Sequence, residues 1–492
     1  MAEARRYHFA PAEQRVVVLG LSAAQVASLA FGLVASVLAL RAVHGPAGAG
    51  LALLLMAAGA AGAVVPVRSR LAVTWFPVVA ARAATVARGA HRWRSPAPTA
   101  GLPGRRPSAS ATSSRSGGVA LRREVMPPHL AGCRITEAAD DADGRCLGVV
   151  HDPRGGSLVA AVAVSGRGFY LADAADRDRS VAGWAAVLAG LAREESPVHR
   201  VQWVLRTSPA PRPTGPAVPL PVPSDDRPAP DGTEPGPSAA GYSELLEAAP
   251  AVPVHEVVVA LAVDLRRLRR GAAPEGGTSA TRGTSVLRRE VATLEAALRG
   301  AGLDVAGPLG PKALRRALGC DGPGLPVAVD AGWDRVRADD RWHSTYWIAE
   351  WPRAEVGADF LSPLLLLGGG VQSVAVTMEP ISPMRAVRQA EAARTAGTAD
   401  EELRRRGGFL PTARRRRAHE GVAEREAELA DGHADFRFSG YVTVSAATSP
   451  ALDEACAEVE QVAAQCRLLL RRLYGEQQAA LAFTLPLCRG LS

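Results

Sequence analysis

From Val16 to Leu40 the chain runs for 25 residues without an ionisable side chain (VVVLGLSAAQVASLAFGLVASVLAL). After Arg41 and the turn-like His44-Gly45-Pro46, a second uncharged run, Ala47 to Val67, adds 21 more. Nothing else in the sequence limits the fold as strongly. At roughly 1.5 Å per helical residue, each run is long enough to cross about 30 Å of hydrocarbon. Gly20, Ser22, Ala23 and Ala27, then Gly59 and Gly62, let two such helices approach closely. A cleaved signal peptide fits poorly, because its apolar region is shorter and no second span follows it. A buried hairpin of a soluble protein is the remaining alternative.

Orientation follows from arginines beside the spans. Arg5, Arg6 and Arg15 precede the first; Arg68, Arg70, Arg82, Arg88, Arg92 and Arg94 follow the second; the turn between them offers Arg41 alone. The positive-inside rule puts both termini in the cytoplasm and the turn outside, as expected for a multi-pass protein of the inner (cytoplasmic) membrane. Residues 71–94 (LAVTWFPVVAARAATVARGAHRWR) mix apolar side chains with arginine and carry Trp75, Phe76 and Trp93. Two readings fit: an interfacial segment lying against anionic headgroups, or a solvated juxtamembrane helix.

Composition then removes chemistry. The chain has 57 Lys+Arg against 49 Asp+Glu, and Lys312 is the sole lysine. So strong an arginine excess, with abundant Ala, Gly and Pro, reads as codon bias in a GC-rich genome. A Walker P-loop needs a lysine behind its glycines, and Gly310-Pro311-Lys312-Ala313 has the wrong spacing and no Ser or Thr next. The six cysteines (133, 146, 320, 456, 466, 488) form no C-x-x-C pair, and the histidines show no H-E-x-x-H spacing. The sequence therefore points to no cofactor and no metal, and the bulk suits a reducing compartment. No G-x-S-x-G elbow is present. Gly368-Gly369-Gly370 precedes a strand pattern rather than a helix, so it reads as a loop and not a phosphate cradle. Arg404–Arg406 and Arg414–Arg417 could hold nucleic acid or lipid headgroups. The acids around them (Glu401, Glu402, Glu420, Glu424, Glu426 and Glu428) favour a solvated helical hairpin.

Four regions follow. Residues 1–94 form the membrane domain, with spans at about 16–40 and 47–67; 95–118 is a flexible Pro/Ser/Gly linker. Residues 119–330 form a first α+β domain with a proline-rich insertion at 208–238, which holds 11 prolines in 31 residues. Residues 331–492 form a second α+β domain. In the first, Ser157–Val164, Val198–Leu205 and His255–Val263 read as strands. Ser180–Arg193 and Thr284–Gly300 read as helices, the latter with Leu287, Val291, Leu294 and Leu298 on one face. In the second, Arg341–Trp351, Gly370–Met378 and Phe436–Ser445 are strand-like, and Ser382–Arg406 and Ala413–Gly432 are charged helices. A helix beginning after Ser449-Pro450 keeps Leu452, Ala455, Val459, Val462, Cys466, Leu469 and Leu473 in register and ends at Gly475. The fold class expected is α+β: an N-terminal two-helix transmembrane hairpin, then a cytoplasmic mixed α/β body with long Pro/Gly-rich linkers.

Two blocks are familiar together. The double span with Trp75-Phe76-Pro77 behind it resembles the PrgI-like membrane subunits of conjugative (type IV) secretion systems. The C-terminal block resembles the non-catalytic N-terminal region of the TraC/TrbE-type conjugation ATPases. That likeness is carried by Trp347–Pro352 (WIAEWP), Val374–Pro380 (VAVTMEP), Glu424–Gly440 with its E-x-E-L-x-x-G-H core, and Leu473–Leu491. In those ATPases a "Q-x-x-A-x-x-x-x-L-P" segment, here Gln478–Pro486, leads into the nucleotide-binding domain, which this chain does not continue into. The resemblance implies the high-GC bacterial type in which a PrgI-like hairpin is joined to an ATPase-free body. It implies a non-enzymatic scaffold oligomerising within a secretion complex, whose partners are the lipid bilayer, a separately encoded motor ATPase and other channel subunits. Trp75, Phe76, Trp347, Trp351, Gln478 and Pro486 are the interface positions it suggests. An EccE-like component of type VII secretion also combines two N-terminal spans with a large α/β body, and a membrane-tethered enzyme is the other class weighed.

Overall fold

The computed structural model describes residues 6–9, 16–18, 21–68, 70–95, 126–138, 145–166, 168–209, 253–270, 279–320, 328–368, 370–408 and 412–491. The expected linker 95–118 and insertion 208–238 fall outside the described residues, apart from Ser95, Ser208 and Pro209.

Two long apolar helices come first, α1 (Ala23–Ala42) and α2 (Pro46–Val64). Ser22 starts α1 with a capping box: its hydroxyl accepts from the Gln25 N–H while the Gln25 side chain accepts from the Ser22 N–H. The helix therefore begins later than the uncharged run does, and Val16–Val18 pairs with Leu21–Ser22 instead. The two helices pack through small residues. A Cβ added to Gly32 would sit 3.0 Å from Gly59 Cα, and Ser28 Oγ donates to the Gly59 carbonyl at 2.9 Å. Gln25 Nε2 donates to the Ala63 carbonyl at 2.9 Å, so the polar atoms of the seam are satisfied within it. The outer faces are bare: Phe31 is 75% and Leu53 74% exposed.

The body is built on one sheet of thirteen strands. In chain order these are β1 (Arg92–Arg94), β2 (Arg134–Ala138), β3 (Leu147–Asp152), β4 (Ser157–Ser165), β5 (Val198–Pro209), β6 (Pro253–Asp264) and β7 (Asp304–Pro308). Then come β8 (Ala328–Ala331), β9 (Val336–Ala338), β10 (Arg341–Glu350), β11 (Val371–Ile381), β12 (Asp435–Ala446) and β13 (Leu469–Arg472). The spatial order is β1-β8-β9-β10-β12-β11-β5-β6-β4-β3-β2, with β7 on β4 and β13 on β10, and every pairing is antiparallel. The expected boundary at 330 does not divide this sheet. Strand β8 straddles it, and β11 pairs with β5 from Gln372↔Thr207 to Met378↔Val201. Both strands are largely buried, so joining them edge to edge hides backbone groups that two separate sheets would leave open.

Read outward from the β5–β11 pair, the sheet repeats itself. The run β5-β6-β4-β3-β2 on one side matches β11-β12-β10-β9-β8 on the other, and β7 stands to β4 as β13 stands to β10. The helices agree. In α5 (Ser279–Gly300), Leu287, Val291, Leu294 and Leu298 are buried, and in α9 (Ser449–Gln465) the same spacing buries Leu452, Cys456, Val459 and Ala463. Both helices close alike. The Leu303 N–H donates to the Leu298 carbonyl at 3.1 Å, and the Leu468 N–H to the Ala463 carbonyl at 2.9 Å. The body is an internally duplicated unit.

Helix α4 (Ala174–Leu191) and α5 cover one half of one sheet face and α9 covers the other half of the same face; Trp203 packs into both clusters. The opposite face carries α6 (Pro311–Ala317) through Leu314, together with a C-terminal strap that brings Ala482, Leu487 and Cys488 onto Val159, Ala161 and Ala260. Gln202, fully buried, fixes that strap: it accepts from the Leu487 and Cys488 N–H groups at 3.1 and 2.8 Å and donates to the Phe483 carbonyl at 2.8 Å.

Helices α7 (Pro383–Arg406) and α8 (Ala413–Ala430) form a charged hairpin between β11 and β12. Its arginines meet its own acids, Arg394 with Glu426 at 2.8 Å and Arg405 and Arg406 with Glu402 at 2.6 and 3.0 Å. Two expectations fail at element ends. Helix α5 starts at Ser279 rather than Thr284. Helix α9 stops at Gln465 instead of running on to Leu473, because Arg467 takes φ +57° and β10 recruits Leu469–Arg472 as a strand. The continuing 3-4 spacing across Cys466, Leu469 and Leu473 coincides with strand alternation there, so periodicity alone misleads.

Candidate functional site: the junction of the apolar hairpin with the sheet

The apolar hairpin joins the sheet through α3 (Ala72–Ala87) and β1. Helix α3 is apolar on two sides. One side faces the body. Trp75 stacks on Trp333 with ring centroids 6.0 Å apart and lies 6.1 Å from the Tyr474 ring, while its indole N–H donates to the Val67 carbonyl at 3.0 Å. Val78 is buried, and the Arg82 guanidinium donates to the Ala331 carbonyl. The other side is exposed: Phe76 (77%), Val79, Ala83 and Val86 recur at helical spacing with no cover among the described residues.

Gly475 makes the close approach feasible. It has φ +76°, and an added Cβ would lie 2.9 Å from both the Trp333 ring and Val78 Cγ1. Its N–H donates to the Trp333 carbonyl at 2.6 Å. Beyond α3, β1 pairs with β8 (Ala328↔Arg94, Val329↔Trp93, Asp330↔Arg92), and Trp93 packs on Val329, Val336 and Leu481. The far end of the expected interfacial segment 71–94 is thus a sheet strand, because β8 offers an open edge that these three residues close.

The arginines that flank the spans are part of this joint. Arg68 lies over the Tyr474 ring at 4.5 Å. Arg70 sits over Trp75 at 5.6 Å and pairs with Glu476 at 3.4 Å. Arg6 is elsewhere: Tyr7 bridges to Val356, and Phe9 stacks on Trp351 at 5.3 Å, so the segment around Arg6 lies on the body rather than beside a span. Arg5 and Arg15 fall outside the described residues.

The remaining interface positions scatter. Gln478 reaches the joint, donating to the Ala90 carbonyl at 3.3 Å. Trp347 lies on β10, donating to Ser439 Oγ at 2.9 Å under the Arg471 guanidinium. Trp351 belongs to an aromatic group with Phe9 and Phe438. Pro486 is buried in the strap and presents no surface. The glutamine that matters for folding is Gln477, one residue before the expected one: counted back from Leu485-Pro486, the Q-x-x-A-x-x-x-x-L-P spacing lands on it. Fully buried, it accepts from the Thr345 N–H at 2.8 Å and donates to the Thr345 and Leu473 carbonyls at 3.1 and 3.0 Å. Trp333 has no role in the sequence reading, and Gly475 figures there only as a helix stop; an aromatic beside a glycine in each of two turns (Gly332-Trp333 and Tyr474-Gly475) is the signal for this contact.

No family model matches this chain, and no curated protein matches it. The joint holds a two-helix hairpin against a sheet edge by ring stacking, two ion pairs (Arg70–Glu476 and Arg92–Asp330) and three strand pairs, and among the described residues no three metal-ligating side chains gather. Gly475→Ala is expected to loosen this joint by about 1–3 kcal/mol, through backbone strain plus overpacking. Amide exchange across Ala72–Ala87 should quicken while α9 stays protected; equal exchange in both proteins would remove the joint's dependence on that glycine.

Proposed function

We propose that this chain is a membrane-anchored, non-enzymatic scaffold of a conjugative or type IV-like secretion channel that docks a separately encoded motor ATPase. What carries the reading is the joint. Two helices of 20 and 19 residues, apolar on their outer faces, are fixed through α3 and β1 to a large sheet, so a load on the body passes to the anchor. The exposed Phe76, Val79, Ala83 and Val86 side of α3 suits the headgroup–acyl boundary, which favours the interfacial reading of this segment. Arg68 and Arg70, between α2 and α3, lie on the body's side of the spans, in keeping with a cytoplasmic body and two cytoplasmic termini. Trp75 and Phe76 divide the work, the first holding the body and the second facing lipid.

Two measurements test this. The chain should stay with membranes through alkaline carbonate extraction, and protease should cut the body in inside-out vesicles but spare it in intact spheroplasts. Affinity purification from detergent extracts should bring down a P-loop ATPase of the same membranes. Release by carbonate, digestion from outside, or purification with no ATPase would each overturn the corresponding part.

A further inference from the structure

Two cavities open side by side where the loop after β10 meets the end of α9. One, of ≈ 380 Å³, is lined by Arg6, Glu355, Val356, Phe360 and Arg467. The other, of ≈ 350 Å³, is lined by Glu350, Trp351, Arg353, Leu468, Leu469 and again Arg467. Arg467 is their shared wall, and its backbone is left-handed, with φ +57°. The internal duplication shows what this position needs. Arg467 follows α9 as Gly302 follows α5, and Gly302 has φ +82° in the same helix-closing turn. A side chain in that conformation is strained where glycine is not. The fold therefore accepts strain at one of two equivalent turns, and what it gains is a guanidinium standing between two cavities of mixed lining.

Charge and polarity on the two sides agree. No ion pair engages Arg467 among the described residues, whereas Arg353 in the second cavity is paired with Glu350. The first cavity sets Arg6 and Arg467 against Glu355. Val356 and Phe360 supply apolar lining in the first, and in the second Leu469 stands 41% exposed beside Trp351. A positively charged divider with an apolar seat on each side complements a carboxylate flanked by apolar side chains. We propose that this double cavity docks an acidic segment of a partner protein, with a carboxylate on Arg467 and apolar side chains seated beside Phe360 and beside Trp351. This rests on the reading that the body serves as a docking surface, and it names where and by what chemistry.

The full-length chain, held in detergent micelles, is panned against a displayed random-peptide library, and the enriched peptides are sequenced and synthesised. Enriched peptides are expected to carry Asp or Glu between apolar residues and to bind more weakly as salt rises. Their affinity, read by fluorescence anisotropy, should fall about tenfold or more in Arg467→Gly, as expected for losing a hydrogen bond to a charged group. The same variant should melt no lower than the parent, since glycine is what the sister turn uses. Peptides enriched without acids, binding that Arg467→Gly leaves unchanged, equal displacement by inorganic phosphate or by an oligonucleotide, or a lower melting midpoint in Arg467→Gly would each sink the proposal. Neither membrane nor ATPase enters this assay, so its failure leaves the anchoring and ATPase tests standing. Absence of an ATPase alongside intact peptide binding counts against the broader reading alone.

Discussion

Replacing Arg489 by methionine should cost about 3–5 kcal/mol of folding stability, because it strands a buried carboxylate. Asp152 is 1% exposed on β3. Arg489, on the C-terminal strap, grips it through Nε and Nη2, both at 2.8 Å, and donates from Nη1 to the His129 carbonyl at 2.6 Å. Burial alone would push the Asp152 carboxyl up. The two hydrogen bonds and charge of Arg489, with the Gly155 and Arg154 backbone N–H groups, instead hold it below its ordinary value. Removing the arginine leaves the desolvation without its compensation, and the strap loses the tie that fixes it to β3. A companion change separates the two effects. Asp152→Asn alone should cost less, and the pair Asp152→Asn with Arg489→Met should recover much of the loss, since no buried charge remains. Chemical denaturation of the four proteins closes that cycle. If the double variant is as unstable as Arg489→Met, the cost lies in lost strap packing and not in the stranded charge.

That ion pair spans most of the chain's length, which explains why nothing in the sequence announced it. Local signals are legible: the apolar stripe of α9's first four turns, whose cap is Thr448 and not Ser449, the run that becomes β12, though it is buried on both faces, and the apolar runs that become α1 and α2. The strands β4, β5 and β6 were legible too, as short runs rich in valine. What did not show was any relation that closes at a distance. Leu469 and Leu473 fall on a helical spacing, whereas the strand β10 that pairs with Leu469–Arg472 lies more than a hundred residues away in sequence. The duplication was hidden for the same reason: its halves share burial pattern and turn geometry, with Leu, Val and Cys exchanging freely in the core. At the joint, Trp75 and the arginines Arg68 and Arg70 stood out through composition. Their partners Trp333, Tyr474 and Glu476 did not, since a lone aromatic in a turn has no period. Gln477 stands one position before the expected Gln478, and the motif's own spacing from Leu485-Pro486 falls on it.

Acidification should destabilise this body before it reaches the pH range in which ordinary carboxylates titrate. His129 is 5% exposed, its Nδ1 has no partner among the described residues, and burial, with His343, Arg489 and Arg154 adding to it, lowers its pKa to about 3. His343, whose Nδ1 lies 2.7 Å from Ser445 Oγ, is lowered to about 4 by burial and by Arg341 and Arg206, against Asp340. Both are depressed, so both are neutral in the folded chain while the unfolded chain takes up their protons near pH 6.5. Stability therefore falls as pH drops below about 6.5 and continues to fall until the folded pKa values are reached. At pH 5, His129 alone removes about 2 kcal/mol, and His343, partly open to solvent, somewhat less. His199, lowered chiefly by burial and Arg200, pulls the same way. Asp152, Asp334 and Glu379 are held below ordinary carboxylate values, so their stabilisation is lost only at pH 4 and below, a separate window. Denaturation midpoints measured at pH 7.5 and pH 5 should differ sharply in the parent, and much less in a His129→Gln, His343→Asn variant. A variant that loses as much stability as the parent over that interval would show that these buried imidazoles are not what acid attacks.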